Sequence, residues 1–185
     1  VKSSAASDVY KRQIEALLLL RANSTFLADN LREIRVEIAP RWQNVCDIKE
    51  PSTGLEIKFS YVFLAAMVLR GIDLAAYESY LDRHCNDADL VALADKVTVV
   101  GNDKIADSAA RVTIYSRNDD TQSQNFDLLT PIDPVHLSKR LQGKATALIG
   151  GVAAADLWSL VDNLEDVSAS DLANQLQMNH KQGQK

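Results

Sequence analysis

Residues that cross-link a chain or hold a metal are scarce. Of 185 residues only two are cysteine, Cys46 and Cys85, and three are histidine, His84, His136 and His180. That count excludes a disulfide framework and points to a thiol-tolerant, cytoplasmic compartment. A zinc site needs three or four converging ligands. None of the histidines has ligand spacing, and the adjacent His84 and Cys85 cannot both reach one metal from a regular helix face. Positive charge is also short, with 20 basic residues against 25 acidic ones, net −5, and no basic run. Nucleic acid and anionic membrane surfaces are therefore poor partners. Aromatics make up 6% of the chain. Trp42 and Trp158 stand alone, as core or interface anchors rather than base-stacking platforms. No apolar run approaches the roughly 20 residues of a membrane span. Lys2 is followed by a polar stretch rather than an apolar h-region, so no secretory signal is read there. The G-x-G-x-x-G, P-loop, G-x-S-x-G and H-E-x-x-H motifs are absent.

What is present suits one domain with a real core: 46% hydrophobic and 24% charged residues. Residues 1–13 stand apart. They lack an initiator Met, and Ser-Ser-Ala-Ala-Ser-Asp-Val-Tyr-Lys-Arg-Gln resembles a peptide that recurs where adapter DNA is read as coding sequence. They are read as such an artefact or as a disordered leader. Without them 17 basic residues face 24 acidic ones, net −7. Residues 14–176 form the domain, and 177–185 a polar, frayed tail.

The pattern predicts a helix over 14–22, rich in strong helix formers. Residues 31–38 alternate strictly, with Ile34, Val36 and Ile38 on one face and Glu33, Arg35 and Glu37 on the other; this is a half-buried strand. Residues 55–69 read as one helix buried on most sides, closed by Gly71. Helices are expected at 74–84 and 87–96, and strands at 97–100 and 110–115. A hairpin turns through Asn118-Asp119-Asp120 and returns along 122–128. Asp133-Pro134 is an N-cap with Pro at N1, opening a helix to about 149 with Leu137, Leu141, Ala145 and Leu148 on one face. Gly150-Gly151 breaks it before a helix over 152–164; the pair is either a hinge or an anion site at a helix N-terminus. Ser168 and Asp171 resemble a capping box before Leu172 and Leu176. Strands clustered between helices argue for α+β: a small, mostly antiparallel sheet flanked by helices, with C-terminal helices. The residues by themselves stop there, with no self-contained active site.

The segment Pro51-Ser-Thr-Gly-Leu-Glu-Ile-Lys-Phe-Ser60 adds to this. It is similar to a Thr-Gly-Leu-Glu-x-Lys-Phe-Ser stretch that opens a buried helix in the MmgE/PrpD family. Further pieces fit in order: residues 14–21, the strand 31–38, Ala65-Ala66-Met67-Val68-Leu69-Arg70-Gly71, the run 86–100 and Ala110-Arg-Val-Thr-Ile114. The resemblance covers roughly 14–176. It implies the α+β lid domain and C-terminal helices of a two-domain protein whose large helical domain lies outside this sequence. The family includes 2-methylcitrate dehydratase, cis-aconitate decarboxylase and an iminodisuccinate epimerase. The resemblance thus implies a cofactor-independent lyase or isomerase, a homodimer, taking small di- or tricarboxylates. No metal or organic cofactor is expected. Such chemistry needs an acid and a base of tuned pKa, and cations for the carboxylates.

In this sequence the resemblance marks Lys58, Ser60 and Phe63 as substrate-binding candidates. The alternative for Lys58 and Ser60 is helix capping and packing. Phe63 falls near a position that is Tyr in some members, so a phenol donor is missing and decarboxylase-type chemistry is disfavoured. Leu69-Arg70-Gly71-Ile72-Asp73 looks more like the epimerase-like or uncharacterised branches. The family's His, three residues before the helix matching Ile14-Glu15-Ala16, corresponds to Lys11. No complete catalytic set is therefore expected, and the chain alone is expected to be inactive. The competing hypothesis is a stand-alone, non-enzymatic α+β interaction module. A module should be a closed monomer; a lid without its helical domain should expose apolar surface and self-associate.

Overall fold

The alternating segment Leu31–Ile38 becomes the strand β1, around which the sheet is built. The structure is a computed structural model that describes residues 10–23 and 30–174. Three more strands follow: β2 (Val97–Gly101), β3 (Ala109–Ser116) and β4 (Thr121–Asp127). They lie in the order β2-β1-β3-β4. The β1–β3 and β3–β4 pairs are antiparallel, and β1–β2 is parallel. The parallel pair has a simple cause. Helices and turns intervene between β1 and β2, giving the long crossover that parallel strands require. Register puts Val99 beside Val36 and Val36 beside Val112. With Ile34, Ile38, Ala110 and Ile114 these side chains form the buried face of the sheet.

Four helices belong with this sheet: α1 (Lys11–Asn23), α2 (Gly54–Ile57), α3 (Tyr61–Leu69) and α4 (Ala88–Ala94). α3 is the centre of the core, with every residue from Tyr61 to Val68 buried. Leu17 and Leu20 of α1, Ile57, and Leu90 and Leu93 of α4 share the same cluster. Asp87 caps α4 by accepting the amides of Asp89 and Leu90 at 3.0 and 3.1 Å. The fold is α+β, with a mixed, mostly antiparallel sheet flanked by helices.

Several expectations need correction. The helix expected over 55–69 is two helices, α2 and α3, broken at Lys58–Phe59–Ser60. Ser60 is extended there and pairs in an antiparallel bridge with Asp47. The Tyr61 amide then donates to the Cys46 carbonyl at 2.9 Å, so the main chain is committed to a non-helical partner at the break. The helix expected over 74–84 is two 3-10 turns, Tyr77–Tyr80 and Asp82–Asn86. The Ser79 hydroxyl donates to the Asp73 carbonyl and the Tyr80 hydroxyl to the Leu74 carbonyl, side-chain bonds that compete with helix formation. The helix expected over 14–22 runs Lys11–Asn23 as α1, so residues 11–13, read as artefact or disordered leader, form its first turn; Arg12 and Gln13 are 2% and 0% exposed.

The described residues fall into two compact units. The first runs to Pro131 apart from Ala75–Tyr77; the second holds Ala75–Tyr77 and the residues from Ile132 onward. The second unit contains α5 (Pro134–Ile149) and α6 (Gly151–Asp162). Asp133 caps α5 by accepting the His136 amide at 2.9 Å, as expected. Gly150 takes a φ of 84°, open to glycine, at the break. The Leu137, Leu141 and Leu148 face of α5 is not a buried one: these side chains are 41%, 48% and 54% exposed. The Ser168–Asp171 box forms, with the Ser168 hydroxyl 2.6 Å from the carboxylate and accepting the Asp171 amide at 3.2 Å. Leu176, His180 and the tail from 177 lie outside the described residues. Among those described, no helix is long and apolar enough to cross a membrane.

Candidate functional site

The chain between Cys46 and Tyr61 folds back on itself. The Ile48 amide donates to the Phe59 carbonyl at 3.2 Å, and Tyr61 to Cys46 closes the loop. The motif residues sit inside this closed loop. The Thr53 hydroxyl accepts the Glu56 amide at 3.3 Å and so caps α2. The Glu56 carboxylate reaches back to the Ser52 amide at 2.7 Å and the Ser52 hydroxyl at 2.8 Å. These bonds, the Ser52 amide foremost, hold the Glu56 carboxyl below its ordinary range. The Gly54 amide donates to the Asp82 carboxylate at 2.7 Å, tying α2 to the turn Asp82–Asn86. A Cβ at position 54 would stand 1.6 Å from the Tyr80 carbonyl oxygen. The glycine is required by that close approach and not by its own φ.

Lys58, Ser60 and Phe63 do not converge on one point. Lys58 is half-buried, with Nζ 4.6 Å from the centre of the Tyr80 ring. The Tyr80 hydroxyl donates to the Leu74 carbonyl at 3.0 Å, and burial pushes this phenol up to about 12. Ser60 is fully buried and caps α3, its hydroxyl accepting the Phe63 amide at 3.2 Å. Phe63 is 3% exposed and packs in the core cluster. Ser60 and Phe63 therefore meet through a capping bond, and Lys58 alone keeps a polar tip near the surface.

A second cluster, not foreseen from sequence, joins α1 to the segments after β1 and β2. Arg12 donates to the Asp107 carbonyl. The Trp42 indole N–H donates to that carbonyl too, at 3.1 Å. Two guanidinium groups approach the Trp42 ring, Arg12 at 5.4 Å and Arg41 at 4.3 Å from its centre. Arg41 also pairs with the Asp107 carboxylate at 3.0 Å. Beneath it, the Tyr61 hydroxyl donates to the Trp42 carbonyl at 2.9 Å and Gln13 Nε2 to the Tyr61 carbonyl at 2.9 Å. Cys46 is fully buried, and burial pushes its thiol up to about 11. Burial raises Tyr61 as well. Both groups stay protonated at neutral pH. Trp42 carried a signal as a lone aromatic, whereas Arg12 and Gln13 fell in the residues read as leader.

Cys85 is also buried and free, and His84 is half-buried. Among the described residues no three His, Cys, Asp or Glu side chains are grouped to hold a metal ion. In the second unit a groove of about 410 Å³ runs between α5 and α6, lined by Gln142, Thr146, Trp158 and Asp162 among others. Its lining has no cation and one carboxylate. The groove beside Gly150-Gly151 is thus a poor place for a phosphate.

A family model for the MmgE/PrpD C-terminal domain matches residues 7–158. The chain belongs to the MmgE/PrpD family. A comparison with curated proteins finds no significant match. The family match takes in α1, the whole sheet, α5 and most of α6. It also begins ahead of the residues 11–13 that form the first turn of α1. In this MmgE/PrpD domain the Thr-Gly-Leu-Glu-x-Lys-Phe-Ser motif is a self-closed loop with one half-buried ammonium, Lys58, above the Tyr80 ring.

Proposed function

We propose that this domain is the C-terminal part of a cofactor-independent lyase or isomerase. It acts on small polycarboxylates by proton abstraction next to a carboxylate. The family match over residues 7–158 carries this reading. The motif loop supports a limited share of the work. Lys58 supplies a cation suited to a carboxylate, while Ser60 is used as a cap and Phe63 as core. Proton transfer needs a group titrating near the working pH, and the buried Cys46 and Tyr61 are shifted away from it. The acid and base are therefore assigned to a partner helical domain of the parent protein, which works as a homodimer, and the 185-residue chain alone is inactive.

The test is proton exchange. The reading frame extended upstream of Ile14 is expressed and incubated with citrate-type tricarboxylates and with dicarboxylates in D₂O. Deuterium should enter at carbon next to a carboxylate, read by NMR. The 185-residue chain alone should show no exchange and an unchanged Tm with the same compounds, since a bound ligand raises apparent stability. No exchange by the longer protein with any polycarboxylate refutes the reaction class. A clear Tm rise for the short chain refutes its inactivity.

A further inference from the structure

The groove between α5 and α6 carries charge of one sign. α6 contributes Trp158, Ser159, Asp162 and Asn163 to its wall, and α5 contributes Gln142 and Thr146. Residues 142 and 146 are one turn apart on α5, as are 158 and 162 on α6, so each helix presents a stripe. Ala154 and Ala155 line it where larger side chains would fill the space. At about 410 Å³ it lies within the roughly 300–1,000 Å³ of small-molecule sites.

Three features favour a positive ligand there. The first is an unanswered carboxylate. Asp162 makes no hydrogen bond or ion pair among the described residues. No Lys, Arg or His lines the groove. Residues 145–174 hold Asp156, Asp162, Glu165, Asp166 and Asp171 and no basic residue. The second is the helix end. α6 stops at Asp162, and the last turn of a helix carries the negative end of its dipole, which disfavours a carboxylate and attracts a cation. Asn163 answers the Ser159 carbonyl with its side-chain amide at 2.7 Å and the Val161 carbonyl with its N–H. Both donors are neutral, so the charge of Asp162 stays unbalanced. The third is Trp158, half-buried one turn before Asp162. Indole is the aromatic side chain that attracts a cation most strongly.

We propose that this groove binds a small organic cation, an ammonium group on a compact apolar body, with Asp162 as its counter-ion and the Trp158 indole beside it. The side-chain oxygens of Gln142 and Thr146 offer acceptors on the facing wall. The ligand is opposite in sign to a polycarboxylate, and the groove lies in the second unit, apart from the motif loop. The inference therefore does not depend on the reaction proposed above.

Choline is the probe. Its uncharged isostere, with carbon in place of the quaternary nitrogen, is the control. Each is titrated into the 185-residue chain at constant ionic strength, up to about 10 mM to reach a millimolar Kd, and followed by NMR. Choline should shift the Trp158 indole N–H and the Gln142 and Asp162 amides with one saturating curve, leaving the Trp42 indole unmoved. The isostere should bind at least about fivefold more weakly. Asp162→Asn removes the counter-ion and relieves the conflict with the helix end, so it should keep the fold and weaken choline by about fivefold. Trp158→Leu should weaken it by a similar factor, and Trp158→Phe by less, which keeps the test open if the leucine variant fails to fold. No saturating shift at Trp158 overturns the proposal. So does equal binding of the isostere, which would make the groove merely apolar, or equal affinity of Asp162→Asn. Unsaturated shifts spread over Glu165, Asp166 and Asp171 also overturn it, since they report diffuse screening of an acidic surface.

Discussion

Gly54→Ala separates two physical accounts of the motif loop because they differ in sign. Gly54 opens α2 with no positive φ, so on helix propensity alone alanine should stabilise by up to about 1 kcal/mol. The structure demands the opposite. The new Cβ would lie 1.6 Å from the Tyr80 carbonyl oxygen and 2.5 Å from its carbon. Real Cβ contacts begin near 3.0 Å, so main chain on one side must retreat by about 1.4 Å. Both neighbours are backbone, so no side chain can simply rotate away. Overpacking of this kind costs roughly 1–3 kcal/mol. The retreat also strains the 2.7 Å bond from the Gly54 amide to the Asp82 carboxylate, and a hydrogen bond to a charged group contributes about 1.5–3 kcal/mol. The two terms share one displacement and do not simply add, giving a loss of about 3–5 kcal/mol and a Tm lower by roughly 10 °C. Urea and thermal unfolding followed by circular dichroism measure it. Leu55→Ala, at a side chain 67% exposed, is the control and should change stability by less than about 0.5 kcal/mol. A Gly54→Ala protein as stable as the parent would refute the packing of α2 against the Tyr80 carbonyl.

Other perturbations follow from the same contacts. Ser60→Ala removes the cap of α3 and leaves a buried Phe63 amide without its 3.2 Å acceptor; a loss of about 1–2 kcal/mol is expected in urea unfolding, and an unchanged midpoint would contradict the capping role. Gln13→Met should stabilise by about 1 kcal/mol. Gln13 Oε1 is buried with no partner among the described residues, and its penalty of about 1–3 kcal/mol outweighs the one bond that Nε2 makes to Tyr61; a lower Tm for this variant would count against it. Alkali should unfold the protein through Cys46. Its thiol is raised from 9.0 to about 11 in the folded chain, chiefly by burial. A raised folded pKa means a contribution fully present below pH 9 and lost as pH climbs through about 11. Thiolate absorbance during a pH titration, read beside circular dichroism, checks this; ionisation of Cys46 at its ordinary pKa in folded protein would contradict it.

Local patterns were legible wherever the determinant lay within a few residues. The strict alternation of 31–38 can bury only one face, and Ile34, Val36 and Ile38 are buried as that requires. Asp133-Pro134 and Ser168–Asp171 are short-range caps and formed as read. What stayed hidden was non-local. Nothing in the apolar run 55–69 says that Ser60 will pair with Asp47 and split it. Nor does the sequence of 97–101 say that it will lie parallel to β1. The burial of Arg12 needs Trp42 and Asp107, far along the chain, to make sense of it.

The motif divides along the same line. Its recognition rested on resemblance, but the reason for most of its residues is visible only in space. Thr53 caps, Gly54 makes room for Tyr80, Glu56 returns to Ser52, Ile57 fills the core, Lys58 lies over a ring and Ser60 caps again. Two residues are left over. Leu55 is 67% exposed and Phe59 is 37% exposed, on either side of Lys58 in sequence, in a loop whose other residues are held by contacts within it and with Tyr80 and Asp82. Internal packing accounts for the polar half of the motif and leaves these two apolar side chains unexplained. A role for the motif beyond holding its own loop closed has to be sought first at Leu55, Lys58 and Phe59, and not at the buried Ser60 and Phe63.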